Sequence, residues 1–235
     1  MSIVPKLFIA IDQNDINKAK ELIQKLPPEK CGIKVGKELF TACGPEMIEW
    51  IQEKGFKVFL DLKYHDIPNT VKQACFVASK MGVSILNVHA LGGKDMMLAA
   101  KEGIDKSNND PYLIAVTLLT SMDSNSLKEI GLTSSINEYI LTLAKNASQA
   151  NLDGIVCSAQ DIKNIKSALP ESFLYVTPGI RLSSGKDDQK RVSSPIEAVK
   201  MGSNILVIGR PITQAKNPEA VLNEIMDDIS KTIDV

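Results

Sequence analysis

The chain has 235 residues, of which 44% are apolar, and its 27 basic and 28 acidic side chains leave a formal net charge of −1. Because the two signs of charge are balanced and interleaved, the sequence predicts no binding surface for nucleic acid or for an anionic membrane. No apolar run approaches the ~18 residues that a membrane-spanning helix needs, and the apolar start of the chain is too short for a secretory signal.

The cysteines indicate a reducing compartment. Cys31, Cys43, Cys75 and Cys157 lie far apart and form no C-x-x-C pair, so neither a zinc ribbon nor a dithiol redox site is predicted. Together with the missing signal, this pattern favours the cytoplasm.

Short β-branched runs alternate with longer amphipathic stretches along the whole chain, which is the pattern of parallel β-α-β units. The runs are 7–12, 32–36, 57–62, 84–90, 112–119, 153–159, 174–180 and 204–210. Gly55, Gly82 and Gly202 stand where three of the intervening helices should end. Eight strands, each followed by a helix, predict a (β/α)8 TIM barrel of the α/β class. No linker divides the series, so residues 1–235 are expected to form a single domain.

In such a barrel the loops after the strands build the active site, so the polar residues at strand ends are the candidates for chemistry. Two long connections, 120–136 and 181–194, also follow strands. A charge inside the fold costs several kcal/mol unless it is paired. A snorkelling lysine or a lone ion pair would explain any one such residue. Lys34, Asp61, Lys63 and Asp66 at one barrel mouth indicate a site instead.

The segment Asp61-Leu62-Lys63-Tyr64-His65-Asp66-Ile67-Pro68-Asn69-Thr70 is the most specific signal. Asp61 and Lys63 have strand spacing, so both side chains leave the same face and can alternate with Lys34 of the neighbouring strand. Pro68 is typical of a first helical turn. The residues alone leave open whether Asp66 caps that helix or takes part in catalysis.

The last two strands predict a phosphate site. Loops after strands seven and eight commonly hold a phosphate in this fold. Gly179 and Gly209 would let the backbone approach an anion, and Arg181 or Arg210 would supply a charge-assisted partner. A surface arginine beside a turn is the alternative interpretation.

The sequence predicts neither a metal nor an organic cofactor. His65 and His89 are the only histidines, and no His/Asp/Glu cluster of the kind a metal-dependent enzyme needs is evident. His89 is expected to be a core or hydrogen-bonded residue. No Gly-x-Gly-x-x-Gly or phosphate-loop lysine motif occurs.

Over essentially its whole length the sequence resembles the orotidine 5'-phosphate decarboxylase family. The resemblance rests on LFIAID, GIKVGKELF, DLKYHDIPNT, LNVHALGG, VTLLTS, VTPGIR, DDQKR and VIGRPIT. It implies a homodimer that converts orotidine monophosphate to uridine monophosphate without a metal or cofactor.

The resemblance also implies a role for each site residue. Lys34, Asp61 and Lys63 would form the charged array of one subunit, with Lys63 as the proton donor. Asp66 and Thr70 would reach across the dimer interface into the other subunit's site. The substrate-binding residues would be Asp12 and Lys34 for the ribose, Thr120 and Ser121 for the pyrimidine, and Arg181, Gln189, Gly209 and Arg210 for the phosphate side.

Two alternatives remain open at this point. A magnesium-dependent sugar-phosphate decarboxylase or aldolase of the same barrel suprafamily would share the D-x-K-x-x-D pattern of Asp61, Lys63 and Asp66. A catalytically silent barrel that only binds nucleotides would be expected to have lost the set of Lys34, Asp61, Lys63 and Asp66, and all four positions are filled here.

Overall fold

The computed structural model describes residues 5–182 and 192–233, and its centre is a closed barrel of eight parallel strands. Each strand pairs with the next in the chain, and the last pairs with the first. The strands are β1 Leu7–Ile11, β2 Gly32–Gly36, β3 Val58–Tyr64, β4 Ile85–His89, β5 Tyr112–Val116, β6 Gly154–Val156, β7 Leu174–Thr177 and β8 Ile205–Ile208. The predicted TIM barrel is therefore confirmed.

The helices surround this barrel. They are α1 Ile16–Ile23, α2 Lys37–Cys43, α3 Pro45–Glu53, α4 Pro68–Lys80, α5 Gly93–Asp105, α6 Ser124–Glu129, α7 Ile136–Gln149, α8 Ala159–Ile165, α9 Pro195–Lys200, α10 Arg210–Thr213 and α11 Pro218–Ile233. Gly55, Gly82 and Gly202 follow α3, α4 and α9 with φ of 87°, 72° and 102°, as expected of glycines that end helices. Within the described ranges, none of these helices has the length and apolar character to cross a membrane.

Several element boundaries differ from the prediction. The strand predicted over 57–62 begins at Val58 and continues to Tyr64. The connection over 120–136 contains the short helix α6, which Asp123 caps by accepting a hydrogen bond from Ser126 N at 2.9 Å. The strand predicted over 112–119 ends at Val116, because the residues beyond it turn into the barrel mouth.

A small inner cluster of apolar side chains fills the barrel below its mouth. Its members are Phe8, Ala10, Phe59, Ile85, Ile114, Val176, Ile205 and Val207. The rings of Phe8 and Phe59 meet edge to face with centroids 6.0 Å apart. Gly32 is required beside them, because a Cβ there would lie 2.3 Å from the Phe8 ring. This cluster gives the mouth a solid floor.

Helices α4 and α5 pack unusually closely. A Cβ on Gly103 of α5 would lie 2.2 Å from the backbone oxygen of Lys72 on α4, so only glycine allows this approach. The Lys72 ammonium also pairs with Glu102 at 2.6 Å. The close contact fixes α4, whose first turn follows the Asp61–Asp66 segment directly.

Candidate active site

A cavity of about 560 Å³ opens at the carboxyl ends of the strands. Its floor includes Ala10, Phe59 and Val207 of the inner cluster. The sequence-predicted site residues that line it are Asp12, Lys34, Asp61, Lys63, Thr120, Ser121, Arg181, Gly209 and Arg210. The structure thus brings residues from β1, β2, β3, β5, β7 and β8 or the loops after them to one place.

Four charged side chains form an alternating row along one wall of this cavity. The Lys63 ammonium lies 2.5 Å from Asp61 Oδ1, and the Lys34 ammonium lies 3.3 Å from Asp61 Oδ2. Lys34 also lies 3.4 Å from Asp12 Oδ1. Lys34 and Asp61 are buried, so each charge depends on its partners for compensation.

The central carboxylate of this row is held ionised. Burial by itself would raise the pKa of Asp61, but the ammonium groups of Lys34 and Lys63 and the hydrogen bonds from Lys63 and Asn87 outweigh it. The net result is a pKa below the ordinary value for aspartate. A fixed negative charge therefore stands between two cations at the mouth of the barrel.

Lys63 reaches this position through an irregularity in its strand. Its φ is 52°, and the pairing of β3 with β4 shifts register between Leu60 and Tyr64. The backbone N–H of Lys63 donates to the side-chain oxygen of Asn87 at 2.8 Å. A β-bulge re-aims a side chain and often lies next to an active site.

Two residues of the site carried no predicted role. Asn87 on β4 donates from Nδ2 to Asp61 Oδ1 at 2.6 Å. Gln214, just after α10, lines the cavity. A polar side chain between Leu86 and Val88 was a usable signal for Asn87. Nothing in the sequence distinguishes Gln214 from an ordinary surface residue.

Asp66 and Thr70 do not line the cavity of their own barrel. Both are exposed at the start of α4. The helix cap is Ile67, and Asp66 Oδ1 accepts from the backbone N–H of Ile67 at 2.6 Å. The interpretation of Asp66 as the helix cap is therefore wrong, because its carboxylate does not reach the first-turn N–H groups that a cap satisfies.

The residues predicted for the phosphate follow β7 and β8, and Gly209 lies next to Asp12, because a Cβ there would be 3.9 Å from Asp12 Oδ2. Gly179 has a φ of 77°, and the guanidinium of Arg181, two residues further on, donates to Ile180 O at 2.8 Å. Arg210 directly follows Gly209 at the end of β8. Gln189 lies outside the described residues, as does most of the 181–194 loop.

The two histidines stack beside the charged row, with ring centroids 5.4 Å apart. His89 accepts a hydrogen bond from Leu91 N at 3.3 Å, which confirms the expectation of a hydrogen-bonded histidine. Burial, then the neighbouring His65, Lys63 and Lys37, lower the pKa of His89 to about 4. In the described ranges no three His, Cys, Asp or Glu side chains are grouped so as to hold a metal ion.

A closed barrel with ion-paired residues at the carboxyl ends of its strands is the architecture of a (β/α)8-barrel enzyme. The model of the Orotidine 5'-phosphate decarboxylase / HUMPS family matches residues 5–225. The chain belongs to this family.

Proteins similar to this chain are named orotidine 5'-phosphate decarboxylase. Orotidine 5'-phosphate decarboxylase of Saccharophagus degradans is 50% identical over 228 residues, which cover 97% of this chain and 96% of the relative. The enzyme of that name from Pseudoalteromonas atlantica is 51% identical over 224 residues, which cover 94% of this chain and 96% of the relative. The crystal structure of orotidine 5'-phosphate decarboxylase from Lactobacillus acidophilus superposes with a TM-score of 0.87 at 36% identity, covering 97% of this chain and 99% of that one.

Proposed function

We propose that this protein decarboxylates orotidine 5'-monophosphate to uridine 5'-monophosphate, the last step of de novo pyrimidine nucleotide synthesis. Its relatives named for this reaction share half of its residues over nearly the whole chain. The observation that carries the proposal is the alternating row of Asp12, Lys34, Asp61 and Lys63 at the barrel mouth. One domain spanning residues 1–235 performs the reaction. It does so in the cytoplasm, in keeping with four cysteines that lie far apart in the sequence and form no C-x-x-C pair.

The chemistry calls for electrostatic stabilisation. When the bond from C6 of the pyrimidine to the carboxylate breaks, the electron pair stays in an in-plane orbital that the ring cannot delocalise. An ammonium placed at C6 stabilises that developing charge more than it stabilises the ground state, which is differential binding. Lys63 supplies this ammonium and then gives its proton to C6 as carbon dioxide leaves.

Asp61 acts in two ways. It fixes the Lys63 ammonium through the 2.5 Å contact. Its own charge also repels the substrate carboxylate, by about 4 kcal/mol for two charges 4 Å apart at an effective dielectric near 20. That repulsion is relieved as carbon dioxide departs. The depressed pKa of Asp61 keeps the charge in place across the neutral range.

The rest of the mouth binds the nucleotide. Asp12 and Lys34 bind the ribose hydroxyls, and Thr120 with Ser121 meets the pyrimidine. The phosphate side is held by Arg181, Gly209 and Arg210, together with Gln189 from the loop outside the described residues. Because the phosphate is remote from the bond that breaks, its binding energy is available to position the reacting carbon.

Each active site is completed by a second copy of the chain. Asp66 and Thr70 are exposed and are not among the residues that line their own cavity, so a facing subunit is their natural partner. Exposed apolar side chains occur at the cap of α4, on α4, on α5 and in the turn between β4 and α5, namely Ile67, Val77, Leu98 and Leu91. Two-fold pairing would bury this surface twice in one isologous interface.

Mixing two inactive variants tests the shared site. A mixture of Lys63→Ala and Asp66→Ala proteins should regain activity after dissociation and reassociation. In each heterodimer one active site contains both substitutions, and the other active site contains neither. Random pairing restores up to about a quarter of the wild-type sites. A mixed dimer that forms and stays inactive would show that Asp66 works within its own barrel.

Incubation with orotidine monophosphate tests the function itself. The pyrimidine absorbance should change at the same rate with and without a metal chelator. Loss of activity on chelation would favour the magnesium-dependent sister enzymes. Tight nucleotide binding with no turnover in either condition would mean a silent barrel.

A further inference from the structure

Asn87 is a fully buried polar residue in the middle of β4. Its strand neighbours Leu86 and Val88 are apolar and buried, and it pairs with Ile114 of β5. A buried amide costs free energy unless its hydrogen bonds are made, so its partners explain its place.

Both ends of the Asn87 side chain contact the charged row. Nδ2 donates to Asp61 Oδ1 at 2.6 Å, and Oδ1 accepts from the backbone N–H of Lys63 at 2.8 Å. An ionised carboxylate can only accept and a backbone N–H can only donate, so the orientation of the amide is fixed by its partners. Asp61 Oδ1 is also the oxygen that the Lys63 ammonium contacts.

The contact with Lys63 falls at the irregular point of β3. A left-handed conformation costs a residue with a side chain about 1–2 kcal/mol, so Lys63 needs compensation for its φ of 52°. The register shift between Leu60 and Tyr64 takes Lys63 out of the regular ladder with β4. Asn87 replaces the missing ladder acceptor with its own side-chain oxygen.

We infer that Asn87 is a positioning residue for the decarboxylation, which holds the β3 bulge and the Asp61 carboxylate in the one arrangement that aims the Lys63 ammonium at the reacting carbon. The inference rests on the proposed function. Asn87 is not among the residues that line the cavity, so it acts through Asp61 and Lys63 and not on the substrate.

The Asn87→Ala variant separates positioning from binding. A misplacement of a catalytic group by about 1 Å costs on the order of 10²-fold, so kcat should fall by about that factor. The KM and the Kd for uridine monophosphate should stay close to wild type, because the residues that hold the nucleotide are untouched. Ser79→Ala is the matched control: Ser79 is also fully buried, but it bonds to Ser107 at the junction of α4 and α5.

The Asn87→Asp variant adds a readout that loss of stability alone would not produce. A protonated aspartic acid can still donate to Asp61 and accept from Lys63, whereas an ionised one repels Asp61. The charges around it would be Asp61, Lys63 and Lys34, with Asp12 beyond Lys34 and His89 on the same strand. Activity relative to wild type should therefore be highest at acidic pH and fall as the shared proton is lost at higher pH.

The outcomes are distinct. Wild-type protein that does not consume orotidine monophosphate overturns the proposed function. If the wild-type protein is active, the positioning role is overturned when the kcat of Asn87→Ala equals that of wild type. It is also overturned when that kcat falls no further than the kcat of Ser79→Ala. A pH profile of activity for Asn87→Asp that runs parallel to the wild-type profile overturns the positioning role as well. A drop in kcat without a change in nucleotide affinity, together with the altered pH profile, supports it.

Discussion

The Lys63 ammonium lies 2.5 Å from Oδ1 of Asp61, which stands two residues before it on β3. On a regular strand, residues with this spacing point to the same face of the sheet. The left-handed backbone at Lys63 breaks that regular geometry where the proposed chemistry occurs. Strain of this kind is characteristic of functional sites.

Replacing Lys63 by alanine should abolish turnover while nucleotide monophosphate binding remains measurable, because the ammonium acts mainly after bond cleavage begins. The loss should reach at least the ~10²–10³-fold typical of deleting one electrostatic stabiliser. Steady-state kinetics and calorimetric titration with uridine monophosphate measure the two effects. Lys231→Ala, which removes an exposed lysine from α11, is the control and should leave turnover unchanged. Near-wild-type turnover would remove Lys63 from the mechanism.

Replacing Arg210 by alanine should weaken binding of the phosphate-bearing substrate and hardly affect the slow reaction of the phosphate-free nucleoside. One lost charge-assisted contact costs about 1.5–3 kcal/mol. Comparing kcat/KM for orotidine monophosphate and orotidine measures this directly. Equal losses on the two substrates would mean that Arg210 supports the fold or the pyrimidine site.

His89 should make the protein less stable as the pH falls from about 6.5 to about 4. Burial lowers the pKa of His89 to about 4, with His65, Lys63 and Lys37 adding to the effect. Between that value and the unperturbed pKa of about 6.5, the unfolded chain binds more protons than the folded one, so acid favours unfolding.

The His89→Asn variant should show a shallower fall in the free energy of unfolding over this window. An asparagine oxygen can still accept from Leu91 N but cannot titrate. Denaturant unfolding at a series of pH values gives the two curves. Parallel curves would show that His89 is not protonated on unfolding.

Removing the hydroxyl of Tyr175 should leave the protein as stable as before or more so. Among residues 5–182 and 192–233 this buried oxygen has no hydrogen-bond partner, and burial, with a smaller effect of Cys157, raises the pKa of Tyr175. An unsatisfied buried group costs about 1–3 kcal/mol, which Tyr175→Phe should partly recover.

Thermal and denaturant unfolding of Tyr175→Phe measure this change. Ser107→Ala is the opposite case, because its buried hydroxyl contacts Ser79 Oγ and Ile104 O at 2.7 Å each. That variant should lose about 1 kcal/mol of stability. A clear loss in Tyr175→Phe would mean that its hydroxyl has a partner after all.

The sequence by itself determined the barrel and most of its mouth. Strand and helix periodicity are local, and the alternation of eight strands with helices leaves few other ways to bury both faces of a parallel sheet. Because every strand of a barrel ends on the same side, strand-end residues as distant as Asp12 and Arg210 could be assigned to one cavity from their positions alone.

Only the tertiary structure decided how the charged residues meet. The bulge at Lys63 depends on a hydrogen bond to Asn87, which is 24 residues away on the next strand. The exclusion of Asp66 as a helix cap depends on where α4 begins relative to its carboxylate. Such features follow from register and long-range hydrogen bonds between strands, and the period of a single strand carries no information about its neighbour's side chains.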